Sequence, residues 1–212
     1  MSFRSFVAII GVLGASTLTA AVSMSAGEVA TSALALGASA PKAAVKMKSV
    51  DGRQFSITDV RGKHGTLVIF TCNACPWAQA WESRIVEIGN AGIKQGVGVI
   101  AINPNDPKKV REDDYANMKV RAKERGMQFP YVVDATSDVA RAFGATRTPE
   151  AFLFDAEGKL VYHGTIDDNA REPEKVQARF LTDAVTAVAS GAVPAVQETK
   201  SLGCSIKFRS KS

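Results

Sequence analysis

The sequence of 212 residues has few of the side chains that bind metals, with three cysteines and two histidines. A structural zinc ion takes four nitrogen or sulfur ligands, which this chain could supply only from all three cysteines and either His64 or His163. No other part of the sequence has the spacing of metal ligands. The composition therefore argues against a zinc site, and we expect neither a metal ion nor a cofactor.

The chain also lacks a concentrated positive charge. Its net charge is +5, from 26 basic and 21 acidic residues, with a small basic excess only at Lys207, Arg209 and Lys211. Proteins that bind nucleic acids carry a basic patch or stripe, commonly with aromatic residues between the charges. No such stripe is present, so we expect no nucleic-acid partner. Internal repeats are absent as well, and the length favours one domain or two small ones.

The N-terminus differs from the rest of the sequence. The first four residues carry one positive charge, residues 6–22 are apolar and uncharged, and small residues follow. This layout is typical of a secretory signal peptide, here residues 1–25, with cleavage within 21–26. An uncleaved membrane anchor is the alternative, because residues 6–24 are nearly long enough to span a bilayer. We expect export to the periplasm or another extracytoplasmic space, without stable membrane association after cleavage.

The remainder divides by composition and periodicity. Residues 26–40 are rich in alanine, glycine and serine and are predicted to form a linker, and residues 191–212 form a tail without periodic structure. Residues 41–190 alternate between strands and helices after a hairpin centred on Asp51-Gly52. The predicted strands are 44–47, 54–57, 66–70, 97–102, 131–133, 151–154 and 159–163, and the predicted helices are 76–92, 107–125, 137–143 and 173–190. This order predicts an α/β fold with a mixed central sheet flanked by helices and an N-terminal β-hairpin extension.

Two of the cysteines, Cys72 and Cys75, lie where a buried strand is followed by a helix. Pro76 comes next, and proline fits best at the first helical position while disfavouring helical geometry in the residue before it. Cys75 is therefore predicted to be the N-cap. If Cys72 were the cap, Pro76 would be the fourth helical residue, where its missing N–H removes a hydrogen bond of the helix.

A cysteine at the start of a helix faces free N–H groups and a partial positive charge, which lower the pKa of its thiol. We therefore predict that Cys75 is a nucleophile and that Cys72 is its partner. A static structural disulfide is the alternative, since secreted proteins keep such bonds. If the tail folds back, Cys204 could resolve an intermediate on Cys75; otherwise it is a buried or free thiol. Trp77 shares a helix face with Trp81 and could form the floor of a substrate groove.

A second motif, Thr148-Pro149, directly precedes a predicted strand. The chain resembles the thioredoxin-like redoxin superfamily over about residues 40–190. The resemblance rests on a strand followed by a cysteine motif at a helix start, and on a Thr-Pro before a later strand. More specifically, the chain resembles the peroxiredoxin-like (AhpC/TSA-type redoxin) group of that superfamily in segments 70–76, 148–150, 164–169 and 203–207. The resemblance implies a thioredoxin-like fold. It also implies a cis Pro149 that lies against the active-site sulfurs, and pairing of the Thr148 backbone with an extended substrate.

The chain departs from these families at several positions. In an ungapped alignment Cys75 falls on the first, nucleophilic cysteine of thioredoxins, whereas their second cysteine falls on Ala78. Ile69 replaces their buried carboxylate, so proton transfer must differ or be slower. In the peroxiredoxin motif, Val68 replaces a proline, and Cys72 replaces the threonine whose hydroxyl holds the peroxide.

These observations together predict an exported thiol–disulfide oxidoreductase in which Cys75 attacks and Cys72 or Cys204 resolves the intermediate. The expected partner is a thiol or disulfide protein or a small-molecule oxidant. Two other classes stay open. One is a thiol-dependent peroxidase with antioxidant activity, because low-pKa thiols react with peroxide. The other is a non-enzymatic module that binds a partner or Cu(I), which two thiolates suit, although copper chaperones of this fold space their cysteines one residue further apart.

Overall fold

A mixed seven-stranded sheet forms the centre of the domain. The computed structural model describes Met1 and residues 33–210. Along the chain the strands are β1 (Met47–Ser49), β2 (Gln54–Phe55), β3 (Gly65–Phe70), β4 (Val97–Asn103), β5 (Tyr131–Val133), β6 (Arg147–Thr148), β7 (Glu150–Asp155), β8 (Leu160–Gly164) and β9 (Cys204–Ser205). The sheet order is β2-β1-β5-β4-β3-β7-β8, and β6 pairs with β9 in a separate two-stranded sheet. Strands β3, β4 and β5 run parallel and the other pairs are antiparallel.

Within residues 33–210, four helices accompany the sheet: α1 (Pro76–Lys94), α2 (Tyr115–Glu124), α3 (Asp138–Phe143) and α4 (Phe180–Ala189). Two of them, α2 and α4, begin well after the residue that the sequence predicts. The predicted helix 107–125 begins only at Tyr115, because the side chain of Asp114 accepts a hydrogen bond from the Asn117 N–H and caps the helix there.

The predicted helix 173–190 begins only at Phe180. A 3₁₀ turn, Pro173–Lys175, occupies the first part of that range. After it, the Gln177 N–H donates to the Asp168 carboxylate (3.1 Å), and the Ala178 carbonyl accepts from the Asp168 N–H (3.2 Å). These backbone groups are therefore used by a loop and not by a helix.

Two apolar layers enclose the sheet. Every residue of β3 is buried, and alternate side chains of a strand point to opposite faces. Leu67 and Ile69 pack in the layer that includes α1 and α4, whereas Val68 and Phe70 pack in the layer of α3. Burying each large apolar side chain contributes about 1.5–3 kcal/mol. Strand β3 is therefore a rigid support for the residues that follow it.

The predicted signal peptide, residues 1–25, lies outside the described residues, apart from Met1. Of the predicted linker, 26–40, the described part contacts the domain. The Leu34 N–H donates to the Phe143 carbonyl (3.0 Å), and the Gly37 N–H donates to the Leu160 carbonyl (2.8 Å). Residues 33–40 thus lie against α3 and β8. Within residues 33–210, no helix is both long and apolar enough to cross a membrane.

Candidate active site

The start of helix α1 places one cysteine at its cap. Strand β3 ends at Phe70, a short loop follows, and the helix begins at Pro76 with Cys75 as the N-cap residue. The backbone of Cys75 is extended, with φ −71° and ψ 121°, and its carbonyl accepts from the Gln79 N–H at 2.9 Å. The predicted helix register is confirmed, because proline occupies the first helical position, where no N–H is needed.

Both cysteines of the motif are buried against Thr148. Cys75 is 3% exposed and Cys72 is 5% exposed. The Cys72 sulfur lies 3.1 Å from the Thr148 hydroxyl oxygen, and the Cys75 thiol donates to the Thr148 carbonyl oxygen at 3.0 Å. The Thr148–Pro149 peptide bond is cis, as the family resemblance implies. One threonine therefore contacts both sulfur atoms, the hydroxyl on one side and the carbonyl on the other.

The C-terminal tail brings the third cysteine to the same place. Strand β9 pairs with β6 in antiparallel register, with Thr148 opposite Cys204 and Arg147 opposite Ser205. The Cys204 N–H points at the Cys75 sulfur, 3.4 Å away. The backbone of Thr148, which the resemblance assigns to an extended substrate, is thus paired with the chain's own tail.

The three thiols have different pKa values because different groups surround each sulfur. The pKa of Cys75 is lowered from 9.0 to about 5, mainly because it accepts a hydrogen bond from the Cys72 thiol. Further hydrogen bonds come from the Cys204 thiol and from the N–H groups of Ala78 and Cys204, and together they outweigh the effect of burial. As the thiolate forms, Cys75 gives up its bond to the Thr148 carbonyl. Cys75 is therefore the sulfur that carries negative charge at neutral pH.

The other two thiols keep their protons. The pKa of Cys72 is raised by the hydrogen bond that it donates to Cys75, by burial and by the negative charge of Asp113. The pKa of Cys204 is raised to about 11, first by burial and then by Cys75. The arrangement is one thiolate between two thiol donors, and either donor is placed to attack the Cys75 sulfur once that sulfur has been oxidised.

A buried carboxylate that the sequence did not indicate fixes the loop between the cysteines. Asp113 is 2% exposed, and its Oδ1 accepts from the N–H groups of Asn73 (2.6 Å) and Ala74 (3.2 Å). Its Oδ2 accepts from the Asn105 side chain at 2.8 Å. The Tyr131 hydroxyl donates to the Asn73 side chain at 3.1 Å. Only the strand order could have pointed to Asp113. It follows β4, whose carboxyl end lies beside that of β3, so the segments after the two strands lie at the same edge of the sheet.

A second unpredicted carboxylate fixes the chain around the cis proline. Glu150 accepts from the N–H groups of Thr146 (2.9 Å) and Arg147 (3.0 Å) through Oε2. Its Oε1 pairs with Nε2 of His163 at 2.7 Å and accepts from the Ser201 hydroxyl at 3.3 Å. Glu150 therefore joins β6, β8 and the tail. Within residues 33–210, no cluster of three or more His, Cys, Asp or Glu side chains could hold a metal ion.

Trp77 lies beside the sulfur cluster. It is half-buried and packs against Cys72, Cys75 and Ala78, with its ring 5.8 Å from that of Trp81. The guanidinium of Arg171 lies 5.7 Å from the Trp77 ring. Trp77 is thus an apolar neighbour of the thiols, and its part in substrate binding stays a prediction.

Comparison with known proteins agrees with this geometry. Residues 36–163 match the AhpC/TSA family. Thiol-disulfide oxidoreductase ResA of Geobacillus thermodenitrificans (strain NG80-2) is 31% identical over 131 residues, which are 60% of this chain and 68% of the relative. The crystal structure of hypothetical protein SMc02350 from Sinorhizobium meliloti 1021 is similar over 85% of this chain and 98% of that one, with 31% identity and a TM-score of 0.78.

The fold class is shared with thioredoxin domains. The thioredoxin domain of a thiol-disulfide oxidoreductase from Bacteroides vulgatus superposes with a TM-score of 0.51 and 24% identity, over 62% of this chain and 89% of that one. The predicted thioredoxin-like fold, with its mixed sheet and flanking helices, is confirmed.

Proposed function

The chain belongs to the AhpC/TSA family, and from this premise we propose that it is a thiol–disulfide oxidoreductase that acts through Cys75. The observation that carries the proposal is the single low-pKa thiol at the N-cap of α1, beside two thiol donors and a cis proline. The similarity to relatives named thiol-disulfide oxidoreductase ResA supports the same reaction class.

The proposed reaction has two exchange steps. The Cys75 thiolate attacks one sulfur of the substrate disulfide, forms a mixed disulfide and releases the first substrate thiolate. Cys72 or Cys204 then attacks the Cys75 sulfur, which forms an intramolecular disulfide and releases the second substrate thiolate. The proton of the resolving cysteine goes to that leaving thiolate. The protein is oxidised by two electrons and the substrate disulfide is reduced by two.

Peptide mapping of the non-reduced protein tests this proposal. Fully reduced protein is mixed with one equivalent of bis(2-hydroxyethyl) disulfide, quenched with acid, alkylated and digested. We expect a mixed disulfide on Cys75 that decays into a Cys72–Cys75 or Cys75–Cys204 disulfide. Cys75→Ser should abolish both species, whereas Cys72→Ser and Cys204→Ser should each remove only one of the two intramolecular products. A mixed disulfide that forms first on Cys72 would contradict the proposal.

The same assay, together with metal analysis of the purified protein, distinguishes the two other function classes. If hydrogen peroxide oxidises Cys75 faster than the disulfide does, the chain is a thiol peroxidase. If the purified protein holds stoichiometric Cu(I) and undergoes neither reaction, it is a binding module.

We also propose that the chain is exported and acts on thiol or disulfide partners outside the cytoplasm. The basis is the layout of residues 1–25 and the compatibility of disulfide chemistry with an oxidising compartment. Cell fractionation with N-terminal sequencing of the mature protein tests this part, and an unprocessed cytoplasmic product would contradict it.

A further inference from the structure

The C-terminal strand determines what can reach the reactive thiol. We propose that β9 restricts Cys75 to disulfides of low-molecular-weight compounds, because β9 occupies the backbone edge beside Pro149 along which a polypeptide substrate would pair. This inference rests on the proposed function, since it concerns the substrate class of the same site.

The contact between β9 and the site is made by the backbone. Thr148 is opposite Cys204 in the antiparallel pair, and the Ile206 N–H donates to the Thr146 carbonyl at 2.9 Å. An extended peptide that adds to a strand edge gains its affinity from the same kind of main-chain hydrogen bonds. With β9 in place, the N–H and C=O groups of β6 that face β9 are not available to a second chain.

Gly203 permits this close approach. A Cβ atom added at Gly203 would lie inside van der Waals contact with the Thr148 carbonyl oxygen. The Gly203 carbonyl also accepts a hydrogen bond from the Arg147 guanidinium at 2.9 Å. The residue before Cys204 therefore fits against the cis-proline turn only because it has no side chain.

The tail is fastened on both sides of the paired residues. On the N-terminal side, the Ser201 hydroxyl donates to Glu150. On the C-terminal side, Ile206 is 6% exposed and packs in the core layer of α3. The Lys207 N–H donates to the Asn105 side chain at 2.8 Å, and the Arg209 N–H donates to the Ser137 hydroxyl at 2.9 Å. These contacts hold β9 in the site on both sides. A protein substrate that pairs with β6 would have to break them and displace β9.

Disulfide exchange on Cys75 needs less room than peptide pairing. The thiolate attacks one substrate sulfur while the other leaves in line with the new bond, so only a disulfide and its immediate substituents must reach Cys75. Cys75 is nearly buried under the half-buried Cys204. A compact disulfide fits this requirement better than one held within a folded or extended polypeptide.

The test compares two disulfides in single-turnover reactions of the reduced full chain. The probes are bis(2-hydroxyethyl) disulfide and insulin, and the readout is the rate of Cys75 mixed-disulfide formation, measured by acid quench and mass spectrometry. We expect the small disulfide to react about a hundredfold faster, because insulin cannot use the main-chain pairing that β9 occupies.

Loosening β9 should change the ratio of the two rates. In Gly203→Ala the added methyl forces the strand away from Thr148, and the insulin rate should rise about tenfold relative to the small-disulfide rate. Ile206→Asp removes the apolar anchor by a different route and should act in the same direction. Val193→Ala, at an exposed position of the same tail, is the matched control and should leave the ratio unchanged.

The outcomes separate this inference from the proposed function. If the wild type reacts with insulin as fast as with the small disulfide, or if neither tail variant raises the ratio, β9 does not set the substrate class while the oxidoreductase function stands. If the wild type reacts with neither disulfide, or if Cys75→Ser still reacts, the proposed function itself fails.

Discussion

Cys72 and Cys75 are three residues apart and almost equally buried, and both contact Thr148, but their surroundings favour opposite charge states. Cys75 faces hydrogen-bond donors: the thiols of its two neighbours, the Cys204 N–H and the start of α1. Cys72 lies near the carboxylate of Asp113 and itself acts as the donor. Burial raises the pKa of both thiols. The neighbouring groups therefore decide that the pKa of Cys75 is lowered and that of Cys72 is raised.

The two cysteines of this short motif have different roles because different groups surround them. The helix start alone would favour a thiolate at Cys75. Asp113 adds a charge on the other side of the loop, which disfavours a thiolate at Cys72. The pair is therefore divided into one nucleophile and one proton-bearing partner by groups on three separate elements: the start of α1, the segment after β4 and the tail strand β9.

The largest expected effect is the pH dependence of Cys75. Because its pKa is lowered to about 5, its alkylation rate by iodoacetamide should be constant from pH 8 to about pH 6. As the pH falls through about 5 the thiolate is protonated, and the rate should fall about tenfold per pH unit below that value. Pulse alkylation with quantitative mass spectrometry measures this. A midpoint near the ordinary cysteine value would show that the donors do not stabilise the thiolate.

A smaller effect should follow from removing the charge beside Cys72. Asp113→Asn keeps the shape of the side chain and removes its negative charge, so the pKa of Cys72 should fall. We expect the share of alkylation at Cys72 to rise about threefold to tenfold at pH 8. The same pulse-alkylation assay gives this share directly.

Asp134→Asn is the matched control for that experiment. Asp134 is also 2% exposed, and it accepts from the Ala140 N–H at 2.9 Å in α3. Each substitution should lower the free energy of unfolding by about 1–3 kcal/mol, which urea denaturation measures. Only Asp113→Asn should change the division of alkylation between the cysteines. An equal change in both variants would mean that general loosening, and not charge, is responsible.

The smallest effect on cysteine reactivity is expected from a substitution at Thr148, which contacts both sulfur atoms. Thr148→Val removes the hydroxyl 3.1 Å from the Cys72 sulfur and leaves the backbone carbonyl near Cys75. Since that hydroxyl lowers the pKa of Cys72, the pKa of Cys72 should rise in this variant, and Cys75 alkylation should change by less than about threefold. Thr165→Val, where the buried hydroxyl has no partner in the described structure, is the control. A large loss of Cys75 reactivity in Thr148→Val alone would assign the hydroxyl a direct role.

Local features of the fold could be predicted from the sequence. Proline has one favourable place in a helix, so Pro76 identified the first residue of α1 and Cys75 as its cap. An apolar run without alternation identified β3, because both faces of this central strand are covered. The cis Pro149 followed from the family resemblance, since periodicity at that position indicates only a turn.

The rest of the site depends on contacts between distant parts of the chain. Asp113 is 40 residues from Asn73, and no local pattern marks a carboxylate that will accept hydrogen bonds from a loop on the neighbouring strand. The tail has no periodicity, so the sequence left open whether Cys204 reaches Cys75. Its position comes from Ile206 and from side chains such as Asn105 that bind its backbone. The two overlong helix predictions have local causes. The Asp114 side chain caps α2 at the Asn117 N–H, and Asp168 binds backbone groups of Gln177 and Ala178 that a longer helix would have needed.

Because Cys204 lies far from Cys75 in the sequence, the two intramolecular disulfides should stabilise the fold by different amounts. A bond between Cys72 and Cys75 closes a loop of four residues and hardly restricts the unfolded chain. A bond between Cys75 and Cys204 joins residues 129 positions apart, and a covalent loop of that size lowers the entropy of the unfolded chain enough to contribute about 4–5 kcal/mol. Oxidation through the tail would therefore make the domain more resistant to unfolding, and the redox state of one sulfur would be expressed in the thermal stability of the whole fold.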